Sequence, residues 1–152
     1  RYLETLKLTK LEGEVKEEKH RNEKPYFKDY PFVRFSVSHS GSLVVVAMAE
    51  TEVGIDVEEI KEKPYGRIVE RNFTAGEAAE VKDLESFLKV WTKKEAYLKL
   101  TGAGLSGLRS SDVSKPLFYD GKPVESTTLA IFDGYVGTVV AESQPIIFVQ
   151  LD

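Results

Sequence analysis

The 152-residue sequence has no cysteine, which excludes disulfides, thiolate metal sites and cysteine nucleophiles. No apolar run approaches the length needed to cross a bilayer, and no signal-peptide pattern opens the chain. A Walker-type phosphate loop, a serine nucleophile elbow and a histidine-based zinc pattern are absent, as are tandem repeats and low-complexity tracts. An excess of positive charge is lacking too. With 21 lysines and arginines against 25 acids, the net charge of −4 argues against a dedicated nucleic-acid binder, while leaving room for a local cationic pocket. Together these absences lead us to expect a cytoplasmic protein with no membrane or nucleic-acid partner. The first residue is Arg1 rather than methionine, so a trimmed or missing amino terminus is also expected.

What remains has the composition of an ordinary folded domain, 41% hydrophobic and 30% charged, long enough for one sizeable core or two small halves. The charged tract from Glu12 to Lys24 reads as a solvated segment or an edge strand. The core begins at Phe32. "FVRFSVS" alternates like a half-buried strand, "LVVVAMA" (43–49) reads as a strand covered on both faces, and the polar "SHSG" between them reads as a tight turn. "EVGIDVEEI" supplies a third strand. A short helix follows in "PYGRIVERNF", then a second with Thr74 as N-cap and Glu77 as its capping-box partner. A long helix ends at Gly102. Asp-Gly turns and the apolar segments "YVGTVVAE" and "PIIFVQL" return the chain to strands. Strands, helices, then strands imply an α+β fold with helices on antiparallel sheet.

Two carboxylate placements stand out. Asp56 and Glu58 lie two apart in a strand and so project from one face. In the long helix, Leu84, Phe87, Leu88, Trp91 and Leu98 form one stripe at roughly 100° per residue, and Glu95 falls inside it, flanked by Lys94 and Lys99. Three acids brought together would suit a hard cation such as magnesium. The plainer alternative is that Asp56 and Glu58 line the solvent face of an edge strand while Glu95 pairs with Lys99 four residues on. His39, one of two histidines, is either an exposed turn residue or an anion contact among hydroxyls and backbone amides.

The motifs "SVSHSG", "VGIDVEEI", "FTAGE" and "VWTKKEAYLKLTGAGLS" resemble, in order and approximate spacing, those of 4′-phosphopantetheinyl transferases. Ser-His-Ser ahead of Gly-Ile-Asp is similar to the surfactin-synthetase-activating (Sfp-like) type rather than the shorter holo-acyl-carrier-protein synthases. The resemblance is strong from about Lys24 to Ser106.

It implies a fold of two similar α/β halves related by a pseudo-twofold, here about 1–52 and 53–152 of a single 1–152 domain, with the amino-terminal half shortened. Only 37 residues precede Ser38, and the family's frequent Gly-Lys-Pro stands here as Glu23-Lys24-Pro25. The implied reaction moves phosphopantetheine from coenzyme A to a serine of an apo acyl or peptidyl carrier protein and releases adenosine 3′,5′-bisphosphate. By motif position, Asp56, Glu58 and Glu95 match the magnesium ligands. Glu95 also matches the general base, and Lys94 and Lys99 the lysines that hold the pyrophosphate. His39 matches the 3′-phosphate contact, with Ser38 and Lys24 near the nucleotide. The implied catalytic set is therefore Glu95, Lys99 and Asp56, in a monomer. A non-catalytic carrier-protein-binding module and a metal-dependent nuclease are the competing readings.

Overall fold

Alternation of large apolar residues with serine makes Arg34–Ser40 a strand with two unlike faces, and Gly41, at φ +55°, turns it into Leu43–Ala49. The computed structural model describes residues 17–19, 24–129 and 133–151. Its strands are β1 (Glu17–Lys19), β2 (Pro25–Phe27), β3 (Arg34–Ser40), β4 (Leu43–Ala49), β5 (Val53–Glu59), β6 (Leu117–Tyr119), β7 (Lys122–Leu129) and β8 (Tyr135–Ala141). The helices are α1 (Gly66–Asn72), α2 (Ala75–Ala79) and α3 (Leu84–Thr101), followed by a 3-10 turn, Gly104–Gly107. The architecture is mixed α+β, as expected. All strand pairing is antiparallel: β1 with β2, β3 with β4, and a four-stranded sheet in the order β5-β8-β7-β6.

The helix boundaries follow their local chemistry. Thr74 and Glu77 form the reciprocal capping box expected of them, Asp83 and Ser86 form another ahead of α3, and Gly102 closes α3 in the left-handed conformation. Asp120 and Gly121 both take positive φ, 51° and 74°, the two-residue turn that suits the twist of the β6–β7 hairpin.

Helix α3 lies on one face of the sheet, burying Val90, Ala96 and Leu100 with Val113, Leu117, Val124 and Val140. On the other face, Val53, Ile55, Leu129 and Val139 meet Val45, Ala47 and Ala49 of β4. Residue parity sorts the two faces. Gly54, Asp56 and Glu58 sit opposite Val140, Thr138 and Val136 of β8, so all of them address α3.

Gly54 sets how close the helix can come. A Cβ added there would stand 1.8 Å from the Ala96 carbonyl oxygen and 2.7 Å from the Leu100 amide nitrogen, both helix backbone. We expect Gly54→Ala to cost about 3 kcal/mol, read as a lowered urea midpoint at unchanged m-value. An unshifted midpoint would show that α3 can retreat freely from β5.

Four sequence expectations are corrected here. "SHSG" is not a turn: Ser38, His39 and Ser40 continue β3, and only Gly41 and Ser42 reverse the chain. β4 is covered on one face alone, with Val44, Val46 and Met48 exposed at 66%, 52% and 47%. A continuous apolar run states what a strand could bury, not whether a second layer exists to bury it. "PIIFVQL" forms no strand, because residues 145–151 find no ladder partner among the described residues. Phe32, taken as the start of the core, is 56% exposed, and the buried run starts at Val33. Of the charged tract Glu12–Lys24, Glu17–Lys19 forms β1 and Lys24 is placed; the remainder lies outside the described residues.

Candidate active site

Because β5 is the edge of its sheet, the N–H groups of Ile55, Val57 and Glu59 point away from β8 and need other acceptors. Three serines supply them. Ser36, Ser38 and Ser40 accept those bonds through Oγ at 3.1, 3.1 and 2.8 Å, each across 19 residues of sequence, so β3 runs parallel to β5 without a backbone ladder. Lysines take carbonyls along the same edge. Lys99 donates to Ile55 O at 3.0 Å and Val37 O at 3.4 Å, and Lys24 to Val53 O at 3.5 Å.

This seam holds Asp56. The residue is buried, 6% exposed, and its Oδ1 accepts from Lys99 Nζ at 2.9 Å and from Ser38 Oγ at 3.1 Å. Its Oδ2 is buried and has no hydrogen-bond partner among the described residues. Burial pushes the Asp56 carboxyl above its ordinary value against the pull of Lys99, and the charge of Glu58 adds to the rise. Glu95, half-buried on α3, is raised as well: first by burial, then by the negative charge of Asp56, with Lys99 opposing and Glu58 adding. The three acids singled out in the sequence are thus drawn to one place, between β5 and α3. Lys99 pairs with Asp56 rather than with Glu95, so the surface ion pair four residues apart is not what forms.

Among the described residues, no three His, Asp or Glu side chains stand close enough to hold a metal ion unaided. The donor set still fits a hard divalent cation that takes one or two protein carboxylates and completes its shell with phosphate or water oxygens. A buried carboxylate oxygen without a donor is costly unless a positive charge meets it. Asp56 Oδ2 is such an atom, with Glu58 and Glu95 as neighbouring acids.

The other expected site residues are placed differently. Lys94 does not join the acids: it is fully buried, donating to both oxygens of Glu77 at 2.7 and 2.8 Å and to Ser111 O at 2.7 Å. Those three bonds use all of its donors, so the geometry gives Lys94 a structural position and not a ligand-facing one. Lys24 pairs with Glu52 and donates to Leu100 O at 3.0 Å, binding the segment before β3 to the end of α3. His39 is exposed, on the face of β3 opposite Ser38. A cavity of about 790 Å³ lies on the far side of the sheet, between β4 and residues 142–151, and includes none of the three acids.

Sequence reasoning missed the Ser36–Ser40 seam, the Glu77–Lys94 pair and Gly54. The seam had a visible signal, serine at every second position of a strand.

A family model described as the 4′-phosphopantetheinyl transferase superfamily matches residues 52–133, which takes in β5, α3 and all three acids. The chain belongs to that superfamily. It is 42% identical over 96 residues to the 4′-phosphopantetheinyl transferase psf-1 of Bacillus pumilus, covering 59% of this chain and 41% of that protein. It is 36% identical over 106 residues to the 4′-phosphopantetheinyl transferase Sfp of Bacillus subtilis (strain 168), covering 65% and 46%. The 4′-phosphopantetheinyl transferase AcpT of Salmonella typhi is 33% identical over 101 residues, covering 61% and 53%. The matches span about half the length of these relatives, or less. No helix among the described residues is long and apolar enough to cross a membrane.

Proposed function

We propose that the chain transfers 4′-phosphopantetheine from coenzyme A to a serine hydroxyl of an apo acyl or peptidyl carrier protein, with magnesium bound at Asp56, where Glu58 and Glu95 are the neighbouring acids. The observation that carries this reading is Asp56: buried against α3, with one oxygen accepting two hydrogen bonds and the other without a donor among the described residues. Bound there, magnesium would supply the positive charge that offsets the pyrophosphate. Glu95 receives the proton of the carrier serine, directly or through water. The serine oxygen forms a bond to the phosphorus bearing pantetheine, and the bond from that phosphorus to the bridging oxygen breaks. Adenosine 3′,5′-bisphosphate leaves with the electron pair. Lys99 also makes three bonds, but unlike the fully buried Lys94 its side chain is 31% exposed. In this reading it exchanges its long 3.4 Å bond to Val37 O for an incoming phosphate.

His39 is assigned to the 3′-phosphate, its exposure on β3 leaving it reachable. In the same reading 1–52 and 53–152 belong to two related halves of one domain, working as a monomer in the cytoplasm.

The test is mass spectrometry of apo acyl and peptidyl carrier proteins after incubation with the chain, coenzyme A and magnesium. A phosphopantetheine mass gain is expected with magnesium and none with chelator. Coenzyme A binding without a gain on any carrier would favour a binding module instead.

A further inference from the structure

Both donors to Asp56 converge on a single oxygen. Lys99 Nζ and Ser38 Oγ meet at Oδ1, and Oδ2, itself buried, has no donor among the described residues. Hydrogen bonds that occupy one oxygen of a carboxylate fix its plane and hold the other oxygen's lone pairs in a set direction. Ser38 is itself immobilised: it is buried, and its Oγ accepts from Val57 N at 3.1 Å while donating to Asp56. The hydroxyl thus links the backbone of β5 to the side chain beside it. Ser36 and Ser40 make the same backbone bond one step away on either side, and neither touches a carboxylate among the described contacts.

We propose that Ser38 is a positioning residue for the cation site, its hydroxyl orienting the Asp56 carboxylate so that Oδ2 is presented to a divalent cation. This differs from the nucleotide contact that the motif suggested for Ser38, and it rests on the metal reading above. Partners that orient a ligand in this way typically change metal affinity by about 10–100-fold when removed.

Ser36 supplies the control. Ser36→Ala and Ser38→Ala each strip one hydroxyl from the seam and leave one β5 amide without an acceptor, so both should lower the melting temperature by similar amounts. Only Ser38→Ala also takes a donor from Asp56, leaving Lys99 alone on Oδ1. Manganese is the probe, titrated alone into the full chain and read by the loss of its free-ion electron paramagnetic resonance signal. We expect Ser36→Ala to stay within about twofold of the parent and Ser38→Ala to weaken manganese at least about tenfold. Ser38→Cys keeps the size and loses most of the donor strength, so it should fall close to Ser38→Ala; it also serves if the alanine variant folds poorly. Equal affinities for the Ser36 and Ser38 variants would overturn the inference and leave the metal reading standing. A parent chain that binds no manganese would remove both.

Discussion

Glu95→Gln should be at least as stable as the parent in metal-free buffer and load carrier proteins at least about 100-fold more slowly. Without a metal, the Glu95 carboxylate is half-buried beside Asp56 and Glu58, and only Lys99 opposes them. Lys99 donates to Asp56, Ile55 O and Val37 O rather than to Glu95, and its attraction for Glu95 is outweighed by burial and by Asp56. Glutamine keeps the shape and removes the repulsion, an exchange of activity for stability of the kind expected at functional sites.

The pH dependence has a definite sign. Glu95 and Asp56 both have folded values raised above the unfolded ones, so the folded state holds more protons in the interval between. Stability is therefore lost as pH rises from the ordinary carboxylate range through the raised values. In chelator, the melting temperatures of parent and Glu95→Gln should coincide below about pH 4 and separate above it, with the variant higher. A variant that is clearly less stable at neutral pH yet still active would make Glu95 a structural partner of Lys99.

Lys94→Met should destabilise the fold by about 3–5 kcal/mol, a fall of roughly 6–20 °C in melting temperature for a chain of this size. Lys94 and Glu77 are both fully buried. Glu77 also accepts from Val113 N and Thr74 N, each at 2.9 Å, so one carboxylate joins the start of α2, the middle of α3 and the segment after the 3-10 turn. Removing the ammonium leaves a buried anion with two backbone donors and no counter-charge. Adding Glu77→Gln should recover part of the loss, since the amide oxygen can still accept while the charge is gone, giving a clear coupling term in a double-mutant cycle. The contest with the motif-based role is direct. Parental melting temperature together with lost coenzyme A affinity would return Lys94 to the pyrophosphate.

Lys94 and Glu95, adjacent in sequence, mark how far the site could be read from sequence. Helical phase placed both at or beside the apolar stripe of α3, and α3 does bury Phe87, Leu88 and Leu98 along it. Phase gives a direction and not what lies there. Glu95 met the acids of β5, whereas Lys94 met Glu77, 17 residues away and already recognised only as a capping residue. The N-cap at Thr74 and the C-cap at Gly102 were legible, because they act on backbone groups within a single turn, whereas the end of α2 at Ala79 and the Asp83–Ser86 box were not.

By itself the sequence determined what depends on near neighbours. That covers the Thr74–Glu77 capping box, the Asp-Gly hairpin turn, the shared face of Asp56 and Glu58, and the motif order that places the chain in its superfamily. Tertiary structure alone decided which polar groups met. β5 became a sheet edge, and its unpaired amides drew in the alternate serines of β3; Gly54 let α3 approach closely enough to bring Glu95 and Lys99 to Asp56. β4 was left with one exposed face, and residues 145–151 without a ladder partner among the described residues. The physical reason is the same in each case. Periodicity and capping are set by bonds a few residues long, while burial and pairing depend on which surfaces the rest of the chain brings to them.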